Sequence, residues 1–446
     1  MGLEDGVIEK VRKLSLASAQ IPIEVIREKK VVPGLRYEDG SGVIVGITSK
    51  GQVLGYEKDW TGKVSAVPGK LIYCGYNVED LVKNVENENR FGFEEIVYLL
   101  LTGDLPTKKD LSDFVKVLDK RRKLPSALKK RLPYKSKNEK MMGALHTVVS
   151  AMQVFDENPD STDISNITRQ CIELIAKFPT IVAYCHEVVV AKGGKAKLLA
   201  PKAGLSTAEN FLYMATGKVP SPEKAKVLDL ALILHAEHGG GNNSTFSTRC
   251  VSSSGANTYV AICAGIGSLS GHLHGGANEA VMDMMEEIKK KVKNWEDICE
   301  VENYLNLIMD KKAGDGKGII YGVGHAVYTI SDPRVAILEE KAKVLAKEMG
   351  REKEFDLYKK VASLAPGIVN KRKGKTACIN VDFYSGFVYD MLELPKELFT
   401  PIFAMARVAG WSAHRIEERL QGKIMRPAYL PTYTKTKEYV PLDERK

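Results

Sequence analysis

Disulfide pairing, metal ligation and dinucleotide binding have little to work with in this sequence. Its seven cysteines, Cys74, Cys171, Cys185, Cys250, Cys263, Cys299 and Cys378, include no CxxC pair. Several sit in apolar runs, as Cys263 does in TYVAICAGIG, so buried free thiols in a reducing compartment are expected. No uninterrupted apolar run approaches ~18 residues, so no membrane-spanning helix is expected. The opening MGLEDGVIEKVRK lacks the apolar stretch of a secretory signal, and a cytoplasmic location is the expectation. There is no P-loop, and the glycine runs GIGSLSG and GVG lack the GxGxxG spacing and strand context of a dinucleotide site. Internal repeats are absent. Neither sign of charge dominates: 65 Lys and Arg against 56 Asp and Glu leave +9. That excess is spread along the chain instead of gathered in the patch of a nucleic-acid binder, and it suits carboxylate or phosphate substrates.

Strand signals are scarce too. Only residues 41–78 read as β: SGVIVGITSKGQVLGYEKDW holds β-branched runs around Lys50-Gly51, expected as a hairpin tip, and Pro68-Gly69 precedes KLIYCGYNV. The rest is helical. FEEIVYLLL, Phe93 to Leu101, stops at Gly103. Thr107 and Asp110 form a capping pattern ahead of the stripe Leu111, Phe114, Val115 and Leu118. Residues 142–155 and 164–193 continue the helical period, the second expected to be interrupted at Pro179. Ser221-Pro222 supplies an N-cap and a first-turn proline. The helix they start is nearly all apolar from Val227 to Leu234, which requires burial on every side. It ends at Gly239-Gly240-Gly241. In NEAVMDMMEEIKKKVK, Val281, Met284, Met285, Ile288 and Val292 share a face, with acids leading and lysines trailing as the helix dipole favours. The polar, Pro-broken tail after Pro427 is expected to be an extended arm.

Five of the eight histidines, His235, His238, His272, His274 and His325, fall between 235 and 325 beside glycines. His235 and His238 share a helix face and are either a capping pair or ligands. HAEH lacks the HExxH and HxxEH spacings, which argues against a metal. His274, in HGGANEA, precedes a helix, whose N-terminus disfavours imidazolium; a neutral ring there can donate to a developing enolate oxygen. His325 lies in GVGHAVYTISDPR, nine residues before Arg334; DPR is also a plain turn. Asp382, in NVDFYSG, is either a poised base or an N-cap. Arg407 is a lone cation in the apolar helix FAMARVAGW, so it needs an anionic partner from the protein or a substrate carboxylate. Lys371-Arg372-Lys373 with Lys375 is either a solvated face or a phosphate contact.

Three separated segments together resemble the citrate synthase family. They are HAEHGGGNNSTF with GHLHGGANEAVM, then GVGHAVYTISDPR, then INVDFYSG followed by MARVAGWSAH and MRP. Their order and spacing match from about GKLIYCGYNVEDL to MRPAYL, and YLLLTGDLPT and FPTIVAYCH fit. The resemblance implies a mainly α fold. Residues 1–278 would form a large helical domain carrying the β-containing segment 31–78. Residues 279–381 would form a smaller helical domain, and 382–446 a return to the large domain and a C-terminal arm.

It also implies an acyltransferase that turns its acyl group into an alkyl group. That enzyme condenses acetyl-CoA with oxaloacetate and water to citrate and CoA, the entry step of the tricarboxylic acid cycle. The alternative is a 2-methylcitrate synthase using propionyl-CoA, since one methylene is worth only ~1–3 kcal/mol in a pocket. A metallohydrolase built on the histidine cluster and a non-catalytic CoA binder are the competing readings. By the resemblance His274 stabilises the acyl-CoA enol, Asp382 removes the methyl proton, and His325 polarises and protonates the oxaloacetate carbonyl. His238, Arg334, Arg407 and Arg426 bind the dicarboxylate, Arg426 reaching the neighbouring subunit's site in a homodimer. The backbone at Ile319, Ile320, Gly322 and Val323 resembles the adenine-recognition loop of CoA, and Lys371, Lys373 and Lys375 are candidates for its phosphates. CoA enters as substrate; no cofactor, metal, nucleic-acid or membrane partner is implied. His272 stands where the family often has Pro, Ala326 where many bacterial members have Arg, and Thr329 where a CoA-binding cation often sits. Residues 31–68 look like a β-rich insertion.

Overall fold

An apolar helix with no polar face has to be surrounded, and the helix Pro222–His235 is buried at every residue from Val227 to His235. The computed structural model describes residues 3–37, 39–130, 132, 140–191, 195–374, 376–432 and 435–445. Around that helix pack Phe93–Thr102, Thr207–Thr216 and the long helix Phe399–Gln421. Phe399–Gln421 also packs on Ile164–Ala191, Asn243–Ser253 and Thr258–Leu269, so it is a central strut. One continuous apolar core runs through these helices, from Leu71 to Ala413.

The expected helix signals are largely in place. Ser221 caps Pro222–His235 by accepting from Lys224 N–H, and Thr107 accepts from Asp110 N–H. Gly103 ends Phe93–Thr102 in the left-handed conformation, φ 97°. In Ala277–Lys291, Val281, Met284, Met285 and Ile288 are buried together. Pro179 does not interrupt its helix, which runs unbroken over the 28 residues Ile164–Ala191. Burial of nearly every residue from Leu174 to His186 outweighs the one lost backbone bond. By length and composition this helix is able to cross a membrane, yet 78% of its apolar window is buried inside the fold.

The β region is smaller than expected and turns elsewhere. Strands Gly51–Lys58 (β1), Val64–Tyr73 (β2) and Tyr76–Asn77 (β3) form an antiparallel sheet in that order. Lys50-Gly51 is therefore not the hairpin tip: Gly51 opens β1 and pairs with Tyr73. The tip is residues 59–63, where the Asp59 carboxylate accepts from Thr61 and Lys63 N–H. Asp59 and Gly62, φ 84°, supply the turn chemistry. Pro68-Gly69 lies within β2, at a register irregularity opposite Gly55.

The chain divides into two units, Gly46–Ile424 and a second formed by Met1–Val45 with Met425–Lys446. The second carries the helices Leu3–Ala19 and Ile23–Glu28, with Val7, Ile8, Val11 and Leu14 exposed. Among its described C-terminal residues there is one short turn, Leu442–Glu444, and the rest are irregular. All seven cysteines are free; against expectation, Cys250 and Cys299 are exposed.

Candidate active site

The buried helix Pro222–His235 delivers His235, Glu237 and His238 to the interior at its C-terminal end. Tyr73, at the end of β2, fixes that turn: its Oη lies 3.0 Å from the Ile233 carbonyl and 3.1 Å from that of Glu237. Glu237 accepts from Gly239 N–H and lies 3.0 Å from His414 Nε2. Burial pushes its carboxyl up, but His414 and Arg407 more than offset that and hold it below the usual range. Its side chain fits only because Gly51 and Gly410 lack a Cβ, which would overlap it. Arg249 extends the network, with Nη1 2.8 Å from His414 Nδ1 and 2.6 Å from Glu417.

His325 projects from the loop that follows Ile319–Gly324. Val327 and Tyr328 N–H both donate to its Nδ1, each at 3.0 Å. A nitrogen accepting two N–H bonds carries no proton, so the neutral ring holds its proton on Nε2. Tyr328 stacks on the ring with centroids 4.5 Å apart, and His238 meets it edge-on at 5.0 Å. Asp332 then caps the helix Pro333–Glu348 and grips Arg334, with Nε 2.9 Å and Nη2 2.7 Å from its oxygens. Both are buried. Burial works against each charge, yet their pairing lowers the Asp332 pKa and raises that of Arg334.

Asp382 is stitched to the same loop. Val323 bridges Ile379, Gly324 N–H donates to Cys378 O at 2.8 Å, and Asn380 N–H donates to Gly322 O at 2.9 Å. Val381 N–H donates to Asp332 Oδ2 at 3.1 Å. Gly322 must be glycine here, because φ is 78° and a Cβ would strike the Phe383 ring at 2.8 Å. Asp382 opens the helix Asp382–Met391, and its carboxylate accepts no hydrogen bond among the described residues. Burial raises its pKa to about 6, against the pull of Arg334 and Arg407.

Arg407 is fully buried in Phe399–Gln421. Its Nε donates to His235 O at 2.7 Å and its guanidinium sits 4.8 Å from the Phe403 ring centroid. Nη1 and Nη2 have no hydrogen-bond partner among the described residues, and burial lowers its pKa to about 10. His274 lies in the turn before Ala277–Lys291; burial, then Arg407, lowers its pKa to about 4, so the ring is neutral near pH 7. His274 Nε2 and His238 Nε2 are buried without hydrogen-bond partners among the described residues. His238 feels the charges of Arg334, His325, Arg407 and His274, which places all five in one neighbourhood; Arg407 and Arg334 act on Asp382 as well. A buried guanidinium and two imidazoles with unsatisfied nitrogens suit an anionic, hydrogen-bonding occupant.

Other candidates lie elsewhere. Arg426 belongs to the other unit, where it is exposed. Ile320 is buried, Ile319 partly exposed, and Gly322 and Val323 face the 378–381 segment. Lys371 and Lys373 are exposed on the last turn of Glu352–Lys373, and Lys375 lies outside the described residues. Among the described residues, no three His, Cys, Asp or Glu side chains are grouped to hold a metal ion. Sequence reasoning passed over Asp332, Tyr328 and the Glu237–His414–Arg249 network. The available signal was that HAEH and GWSAH put charged groups into helices too apolar to leave them solvated.

A mainly helical enzyme whose buried arginines act on a histidine cluster and on a carboxylate is the class that this fold and site define. The chain belongs to the citrate synthase family: the citrate synthase C-terminal domain matches residues 42–428. It is 36% identical over 388 residues to the citrate synthase of Synechocystis, covering 87% of this chain and 91% of that one. It is 34% identical over 398 residues to 2-methylcitrate synthase 1 of Corynebacterium glutamicum, covering 88% and 97%. Among solved structures, it is similar to the Thermoplasma acidophilum citrate synthase in ternary complex with carboxymethyl coenzyme A and oxaloacetate. The TM-score there is 0.75, at 26% identity, covering 90% of this chain and 97% of that one.

Proposed function

We propose that this chain is a citrate synthase, condensing acetyl-CoA with oxaloacetate and water to give citrate and CoA. The observation that carries this reading is the unsatisfied set Arg407 Nη1 and Nη2, His238 Nε2 and His274 Nε2, with the Arg407 charge acting on His238, His274 and the raised Asp382 carboxylate alike. Arg407, Arg334 and His238 hold the dicarboxylate, balancing its charge. His325 Nε2–H donates to the ketone oxygen and prepares that carbon for attack. Asp382 takes the thioester methyl proton while neutral His274 supports the enolate oxygen. A positioned base contributes only ~10²–10⁴-fold, so pre-aligned donors in a dry site supply the rest. The enol carbon bonds to the ketone carbon, and water then hydrolyses the citryl thioester.

Closure of a small domain, 279–381, over the large one keeps water out until the carbon–carbon bond has formed. Ile319–Val323 takes the adenine of CoA and Lys371 and Lys373 its phosphates. The enzyme is a homodimer, and Arg426 of the partner subunit completes the dicarboxylate site.

A thiol-release assay crossing acetyl-, propionyl- and butyryl-CoA with oxaloacetate and other 2-oxo acids tests this. Release only with oxaloacetate, fastest with acetyl-CoA, is expected. Preference for propionyl-CoA makes the protein a 2-methylcitrate synthase, and release without any 2-oxo acid overturns both readings.

A further inference from the structure

The β1–β2 hairpin meets the His325 loop at its own irregularity. Leu54 pairs with Lys70 and Tyr56 with Ala66, so Gly55 faces the unmatched Val67-Pro68-Gly69. Bulges bend a strand, and Pro68 has no N–H to lose there. The bend presses two glycines onto the loop. A Cβ on Gly55 would overlap the Val327 carbonyl, standing 2.9 Å from its carbon and 3.2 Å from Tyr328 Cα. A Cβ on Gly69 would overlap the Ser331 carbonyl oxygen and strike the Tyr328 ring at 2.6 Å. Gly69 N–H donates to Ser331 Oγ at 3.2 Å, and Tyr328 Oη donates to Lys70 O at 3.3 Å.

The residues so gripped hold the site. Val327 and Tyr328 supply the two N–H groups on His325 Nδ1, and Ser331 precedes Asp332, the clamp on Arg334. We propose that Gly55 and Gly69 are positioning residues for the reaction. Through Gly55 the hairpin fixes the backbone that keeps the His325 proton on Nε2; through Gly69 it fixes the Asp332–Arg334 pair. The hairpin, most of which lies in the 31–68 segment that looked like an insertion, thereby sets the geometry of two substrate-facing side chains. This rests on the citrate synthase reading.

The test is steady-state kinetics of Gly55→Ala and Gly69→Ala with nitrogen NMR of ¹⁵N-histidine-labelled protein. Gly46→Ala is the control, since its Cβ would meet nothing within 4 Å. A displacement near 1 Å costs up to about 10²-fold. Gly55→Ala is expected to lower kcat by about that factor, with a mixed His325 tautomer and little change in oxaloacetate KM. Gly69→Ala is expected to raise oxaloacetate KM more than it lowers kcat. Gly46→Ala is expected to match wild type. Tyr328→Phe keeps the ring stack but loses the Lys70 bond, and decides the matter if the alanine variants do not fold; a severalfold kcat loss is expected. Wild-type kinetics and a single Nε2–H tautomer in whichever variants fold overturn the positioning role. Failure of the wild-type enzyme to release thiol with oxaloacetate overturns the functional reading instead.

Discussion

Asp382 carries opposed demands of stability and chemistry. Its folded pKa of about 6 lies above the ordinary carboxylate value of 3.8. The folded state therefore binds the proton more tightly, and the contribution to stability is full below pH 3.8 and lost as pH rises to 6. Asp382→Asn should thus raise stability by roughly 1–3 kcal/mol at pH 8, a gain that vanishes toward pH 4. Denaturant unfolding at the two pH values measures this. With Asp382 as base, kcat/KM should rise with pH through about 6, and Asp382→Asn should abolish that limb along with turnover. Arg407→Ala should weaken oxaloacetate binding by ~10²-fold or more, since the proposed bidentate carboxylate contact would be lost; calorimetry measures it. The candidate residues stood out in sequence because glycines lie close to them. Asp332 was not, since an N-cap that also grips a buried arginine reads only as a turn.

At the scale of elements, caps and apolar faces were plain because they depend on neighbours within one or two turns. The hairpin tip was misplaced because β-branched runs flank Lys50-Gly51 as well as Asp59–Gly62, and only cross-strand pairing separates them. Pro179 misled for a related reason: a local rule yields where the whole helix is buried. The strut Phe399–Gln421 illustrates the energetics. Trp411 is fully buried, its Nε1 donating to Ser244 Oγ at 3.2 Å and its ring packed where Gly265 leaves room. Trp411→Ala should cost ~3–5 kcal/mol in denaturant unfolding.

At the scale of the whole molecule, one chain does not account for the proposed dicarboxylate site if the partner's Arg426 completes it. Mixing Arg426→Ala with Asp382→Ala subunits tests this. In a mixed dimer one site is doubly impaired, but the other holds an intact Asp382 and receives the partner's Arg426. Two inactive variants should therefore regain up to about half of the activity per mixed dimer, as shared sites require. Activity that stays absent in verified mixed dimers contradicts a shared site. The segments of the candidate site stood out in sequence because they are short and ordered along the chain. The proposed lobes and dimer are not written in any single segment.

Asp382→Ala beside wild type tests the central claim most directly, with thiol release from acetyl-CoA and calorimetric oxaloacetate binding measured on the same preparations. Turnover should fall by at least ~10²-fold, the contribution of a positioned base, while oxaloacetate affinity stays within a few-fold. A variant that releases thiol at near the wild-type rate contradicts the assignment of Asp382 as the base.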